Sequence, residues 1–170
     1  MNKVPVLVAF TCLSVMMSCQ SETKDPREKY PKHLGEIPFD RELDDPNFKL
    51  CDSAILVQSR LALSYVGGFS RLAEICKTEY AKAAEKEDYT GIVLVRFIVN
   101  CENETGRFRF QTLDEAFLHQ ECSEALINRV RKCVKALDEW VFLIAENKGK
   151  DHSHYLNFKI IDGEIKSIIH

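Results

Sequence analysis

The run Ile92 to Val99 constrains this chain more than any other feature, because seven of its eight residues are apolar and only Arg96 carries charge. Val93, Val95, Phe97 and Val99 fall on one alternating face, and Ile92, Leu94 and Ile98 nearly fill the other. β-branched and aromatic side chains suit a pleated backbone, and a run apolar on both faces predicts a strand near a sheet centre, covered on both sides. Gly91 opens the run, and the segment Asn100 to Gly106 reads as a loop. Phe108 and Phe110 then alternate with Arg107, Arg109 and Gln111, as the second arm of a hairpin would.

The same reading extends in both directions. Upstream, Ile55, Val57, Leu61, Leu63 and Tyr65 repeat with a period of two, which predicts one strand from Ile55 to Tyr65. Gly67 and Gly68 break it, Ser70 is placed to cap, and Leu72, Cys76, Tyr80 and Ala83 recur at helical spacing. Downstream, Ser123 opens a second helix with apolar residues at Leu126, Ile127, Val130, Cys133, Val134, Leu137 and Val141. Asn128, Arg129, Arg131, Lys132, Lys135 and Asp138 form its expected solvated face, and Trp140 is expected to be buried at its end. Glu146 to His154 reads as a polar loop. Leu156, Phe158 and Ile160 then alternate toward Asp162-Gly163, with Ile165 on the returning arm, as in a hairpin with a type I′ turn. The expected fold is α+β: a small antiparallel sheet with two amphipathic helices on one face, held within residues 50–170.

The first 49 residues have another character. Lys3, the apolar run Val4 to Met17 and the small Ser18 before Cys19 resemble a lipoprotein signal peptide over residues 1–18, with Met16-Met17-Ser18-Cys19 in the place of its cleavage box. That run holds 14 residues, fewer than the roughly 20 that a spanning helix needs. Cys19 is thus the expected lipidation site, and residues 19–49 the expected disordered tether, since Pro26, Pro31, Pro38 and Pro46 lie there among Lys, Glu and Asp. Lipid attachment implies a membrane partner and an envelope location, as an outer-membrane lipoprotein facing the periplasm or the cell surface. Of the seven cysteines, Cys51, Cys76, Cys101, Cys122 and Cys133 then remain. In an oxidising compartment one or two disulfides are expected among the five, with at least one thiol free and the pairing open. Cys76 and Cys133, on apolar helix faces, are expected to be buried.

A formal charge of −3 gives no basic surface for nucleic acid. Asp114, Glu115, His119, His152 and His154 do not compose a nucleophile with its base, and no phosphate-binding glycine loop occurs. Asp151, His152 and His154 lie in the polar stretch and are expected to be exposed and not metal-bound. The expectation is therefore a protein without catalytic activity, metal or cofactor.

With these elements placed, Tyr65 to Ile165, about 100 of 170 residues, resembles the C-terminal domain of TonB in its Bacteroidetes-type variants. The resemblance is carried by Tyr65, Gly67, Gly68 and Leu72, by Gly91, Val93, Val95 and Phe97 to Val99, by Asn100 to Phe108, by Leu137 and Trp140, and by Phe158 to Ile165. Ala81 follows Tyr80 where that family usually has Pro, and Val141 to Leu143 follow Trp140 where a Pro-Gly turn is common. The inner-membrane helix and long Pro-rich span of an energy transducer are missing, so the resemblance does not imply energy transduction. What it implies is a binding mode, in which an extended peptide from an envelope protein is added as a strand at a sheet edge. The second hairpin supplies the candidate edge residues: Tyr155, Asn157 and Lys159 on one arm, Glu164 and Lys166 on the other. The arm Glu164 to Ile169 reads equally as a cover for that edge. The expected function is a lipid-anchored protein or peptide binding module, with capture of a small ligand as the alternative.

Overall fold

Strand β3 (Gly91–Val99) is the axis of the molecule, and its two neighbours define the main sheet. On one side it pairs antiparallel with β4 (Thr105–Leu113), and a register shift falls between Arg96 and Ile98. On the other it pairs antiparallel with β6 (Asp151–Ile161). The chain turns at Asp162 and Gly163, with φ of 51° and 70°, into β7 (Glu164–Ile169), which returns along the outer side of β6. Positive φ at both positions is the type I′ geometry read from Asp-Gly. Gly163 is required twice over there, since a Cβ would also collide with the Glu87 carbonyl.

The structure is a computed structural model and describes residues 37–52, 56–58, 63–82, 87–143 and 145–169. All belong to one compact unit, His33–His170. The signal peptide, Cys19 and residues 20–36 lie outside the described residues, as does Ala83.

Among the described residues the fold is mixed α+β, with two α-helices and two sheets. Of the single strand expected from Ile55 to Tyr65, Ile55 and Leu61 lie outside the described residues, and the described part falls in two strands. β1 (Leu56–Gln58) joins the main sheet beside β6, and this pairing is parallel, so the sheet is not wholly antiparallel. β2 (Leu63–Tyr65) forms a separate antiparallel pair with β5 (Trp140–Phe142). A period of two carries no information on where a strand changes partners, so the alternation ran across the break.

Helix α1 (Gly68–Ala81) buries Leu72, Cys76 and Tyr80, as its spacing predicts, but its N-cap is Gly67 in a left-handed conformation and not Ser70. Helix α2 (Glu124–Lys135) is capped by Ser123, whose Oγ accepts from the Leu126 amide at 3.1 Å. Glu124 in its first turn and Lys132 and Lys135 in its last complement the helix dipole. It stops before Trp140 and Val141, which belong to β5, with Val141 exposed. Arg129 is not on a solvated face: it is buried, its guanidinium lies 3.8 Å from the centre of the Tyr80 ring, and it donates to the Tyr80 carbonyl. That contact lets a cation enter the seam between the helices.

The sheet buries one face under the helices. Val93, Val95, Phe97, Leu156, Phe158 and Ile160 are fully enclosed there with Leu126, Val130, Cys133 and Leu137. Each such side chain contributes about 1.5 to 3 kcal/mol over its exposed state. Trp140 is buried as expected, 5.3 Å from the Tyr65 ring and 5.8 Å from Phe97, and its indole donates to the Leu137 carbonyl. The other face follows the sequence reading only in part: Ile98 is buried, whereas Ile92 and Leu94, like Arg96 beside them, are only half-buried.

The expected loop through His154 ends early, at Asp151, where β6 starts. His152 and His154 are therefore buried in a strand and not exposed, His152 against Phe142 and His154 edge-on to Trp140 and Phe97. Burial follows from register, since His152 and His154 pair with Val99 and Phe97 on the helix face.

Residues 37–49, read from their prolines as part of a spacer, pack against the domain instead. Ile37 and Asp44 are buried, and the Phe48 ring lies on Gly106, where a Cβ would strike it. A disulfide joins Cys51 to Cys101 in the β3–β4 loop, and the Asp151 carboxylate accepts from the Cys51 and Asp52 amides at 3.1 and 2.9 Å. Asn100 orders that loop by accepting from the amides of Glu102 and Glu104 and donating to the Lys49 carbonyl. Proline excludes regular ladders, but it does not exclude docking through side chains.

Candidate functional site

The outer strand β4 gathers the features that read as a binding face. Its alternation places Phe108 toward the helices and Arg109 on the open face, opposite Arg96 of β3. Two arginines across one rung repel, and each must find an anion or water. Residues 37–44 supply the anion. Arg109 grips the Asp44 carboxylate with both terminal nitrogens, at 2.7 and 2.8 Å, and donates to the Pro38 carbonyl at 2.6 Å. Arg107, at φ 52°, donates to the Ile37 carbonyl at 3.1 Å and lies under the Phe39 ring. The segment closes on itself through Asp40, whose amide donates to the Asp44 carboxylate and whose carbonyl accepts from the Asp44 amide.

The electrostatics follow. Burial alone would raise the Asp44 carboxyl, but the Arg109 hydrogen bonds and charge and the Asp40 amide hold it below the ordinary value. Arg109 is shifted up by the same carboxylate. Arg96 is shifted down, first by burial and then by Arg109 beside it. Among the described residues no carboxylate pairs with Arg96, and Arg107 Nε, although buried, has no acceptor. Asp44 is thus the one carboxylate among the described residues that is hydrogen-bonded to these guanidinium groups, with the Asp40 charge acting on Arg109 from nearby.

At the far end of β4 the loop 114–118 is built tightly. The Asp114 carboxylate accepts from the Ala116 and Leu118 amides, both at 2.8 Å, and its backbone bonds to Leu118 and Phe117. This loop holds Phe117 at φ 61° and leaves Phe117 69% and Leu118 65% exposed. Leu43, 61% exposed, lines a groove of about 430 Å³ between β4 and α2 together with Phe110, Ile127, Arg131 and His119, the residue that follows Leu118. A second concavity of about 470 Å³, between residues 43–48, the β3–β4 loop and the end of α2, is lined half by charged side chains. Small-ligand pockets are mostly apolar.

The structure distributes the residues expected at a strand-addition edge over two strands. Tyr155, Asn157 and Lys159 lie on β6, an interior strand and not an edge: Asn157 and Lys159 pair with Ile169 and Ser167 of β7, and Tyr155 falls between the stretches paired with β1 and β7. Glu164 and Lys166 lie on the outer strand β7 and pair with each other at 3.0 Å. The register shifts there, between Lys159 and Ile160, and such an irregularity on a charged outer strand disfavours added strands. Sequence reasoning missed Asp44, Arg96, Arg107 and Arg109. The acidic run 40–45 and the arginines alternating in β4 were visible, but nothing local joins two segments more than 60 residues apart.

Cys76 and Cys133 are fully buried between the helices, where the Cys76 thiol and burial push the Cys133 thiol far up. Cys122 is the third free cysteine among the described residues. Among those residues no group of three metal-ligating side chains assembles, and no helix is long and apolar enough to cross a membrane. No family model matches the chain, and no curated protein or solved structure matches it either.

Proposed function

We propose that this chain is a lipid-anchored envelope protein that binds another protein or an extended peptide, in a TonB C-terminal-like domain that does not itself transduce energy. In this reading Cys19 carries the lipid and residues 20–36 set the distance from the membrane, facing either the periplasm or the cell surface. The Cys51–Cys101 disulfide favours an exported protein, since such bonds persist in oxidising compartments.

The observation that carries the binding reading is the loop 114–118. A phenylalanine held at positive φ costs about 1 to 3 kcal/mol, and here the strain presents Phe117 and Leu118 to solvent beside a groove. Exposed apolar groups on a rigid loop mark a docking face. The conservative test is Phe117→Gly with Leu118→Ser, which relieves the backbone and removes the apolar tip. Crosslinking in the native envelope followed by mass spectrometry is expected to recover a protein partner with the parent chain and to lose it with the double variant. A partner retained at full yield by the variant would overturn the assignment of this loop. Recovery of the Cys19→Ala chain still bound to the membrane would overturn the anchor.

A further inference from the structure

Residues 37–44 make the contacts that a bound peptide makes. An aliphatic anchor, Ile37, is 4% exposed, two successive backbone carbonyls are read by Arg107 and Arg109, an aromatic ring lies over a guanidinium, and a carboxylate is clamped bidentately. Carbonyl contacts of this kind recognise a peptide backbone, and the bidentate clamp recognises a carboxylate that the Asp40–Asp44 turn holds at a fixed distance from the anchor. The fit is incomplete, because Arg96 has no carboxylate and Arg107 Nε no acceptor among the described residues.

We propose that the face formed by Arg96, Arg107 and Arg109 is a receptor site for an acidic segment of a partner protein, and that residues 37–44 are a tethered competitor occupying it. The proposal rests on the reading of the chain as a peptide binder and names the chemistry of that peptide: an aliphatic residue followed by two or more carboxylates, with the clamped one at the spacing of Asp44 from Ile37. A ligand that brings a second carboxylate neutralises Arg96 as well as Arg109, which the chain's own segment does not do. The competitor's advantage is proximity, since a short tether gives an effective concentration on the order of millimolar. An external peptide binds only when it offers more contacts or when the tethered segment is loosened.

The probe is a fluorescent synthetic peptide spanning residues 35–47, titrated by anisotropy into the full chain and into Asp44→Asn and Ile37→Ser variants, each checked for folding by circular dichroism. Both substitutions are expected to raise the affinity at least about tenfold over the parent chain, since they remove the competitor's clamp or anchor. Adding Arg109→Met to either variant is expected to abolish the gain, and so is replacing the peptide residue that matches Asp44 by Asn. Two folded variants that bind no better than the parent, or binding that survives Arg109→Met, would overturn the proposal. A concentration-dependent dimer of Asp44→Asn without peptide, seen by sedimentation, would overturn it in favour of exchange between copies. A crosslinked partner bound equally by parent and variants would place the docking elsewhere and leave the general binding reading standing.

Discussion

The two faces of the main sheet are held by different physics. Under the helices, Phe97, Leu156 and Phe158 meet α1 and α2 in a seam closed by apolar side chains and aromatic rings. On the open face, Ile37 to Phe48 are held by one carboxylate, a few carbonyls and a covalent staple at Cys51. The first arrangement has no preferred partner and is proportional to area, whereas the second is directional and can be undone group by group. A surface meant to be exchanged for a ligand is better built in the second way.

The strongest way to break the contrast is to hollow the helix face. Phe97→Ala is expected to cost about 4 kcal/mol, read by denaturant unfolding, and to loosen both faces together because β3 carries them both. Reduction of Cys51–Cys101 comes next, since removing such a closure costs about 2 to 4 kcal/mol. Reductant should lower the melting temperature of the parent chain and leave a Cys51→Ser, Cys101→Ser variant unchanged. Asp44→Asn should cost about 2 kcal/mol, the scale of hydrogen bonds to a charged group, while the near-ultraviolet signal of the Trp140 cluster stays intact. Lys166→Ala, which breaks an exposed pair, should change stability by less than about 0.5 kcal/mol.

Titration separates the faces at opposite ends of the pH scale. Asp44 is shifted down, so its contribution is fully present above the ordinary carboxyl value and is lost as pH falls through its lowered pKa. The stability difference between parent and Asp44→Asn should hold from neutral pH to about 5 and shrink below about 4. Tyr80 and Tyr89 are pushed up to about 12, both chiefly by burial. Their contribution is present below the ordinary phenol value and is lost as pH rises from about 10 to about 12. Absorbance at high pH should show these two tyrosines ionising above the ordinary phenol range.

The helix face was legible in the sequence because its signals are local and periodic. The spacing of Leu126, Val130 and Val134, the Ser123 cap and the Asp162-Gly163 turn each state their role within one or two turns of chain. The open face was not legible, since the Arg109–Asp44 clamp and the burial of His152 depend on register between segments that no short pattern joins. Arg129 misled for a related reason: its charge predicted solvent, and only the Tyr80 ring opposite explains its place inside. The candidate site fell almost wholly in the illegible part.

The staple between Cys51 and Cys101 also fixes how the domain would bear a load. A pull on the chain before Ile37 meets the open-face contacts one after another, like a zip, and each yields alone. At Cys51 the path leaves the backbone and crosses to Cys101, so the intervening stretch, with a sequence separation of 50, is bypassed. β1, β2, α1 and β3 then carry no tension in series. A tug from the N-terminal side would thus peel residues 37–48 from the open face and pass to β4 through Cys101, without drawing on the helix that precedes β3.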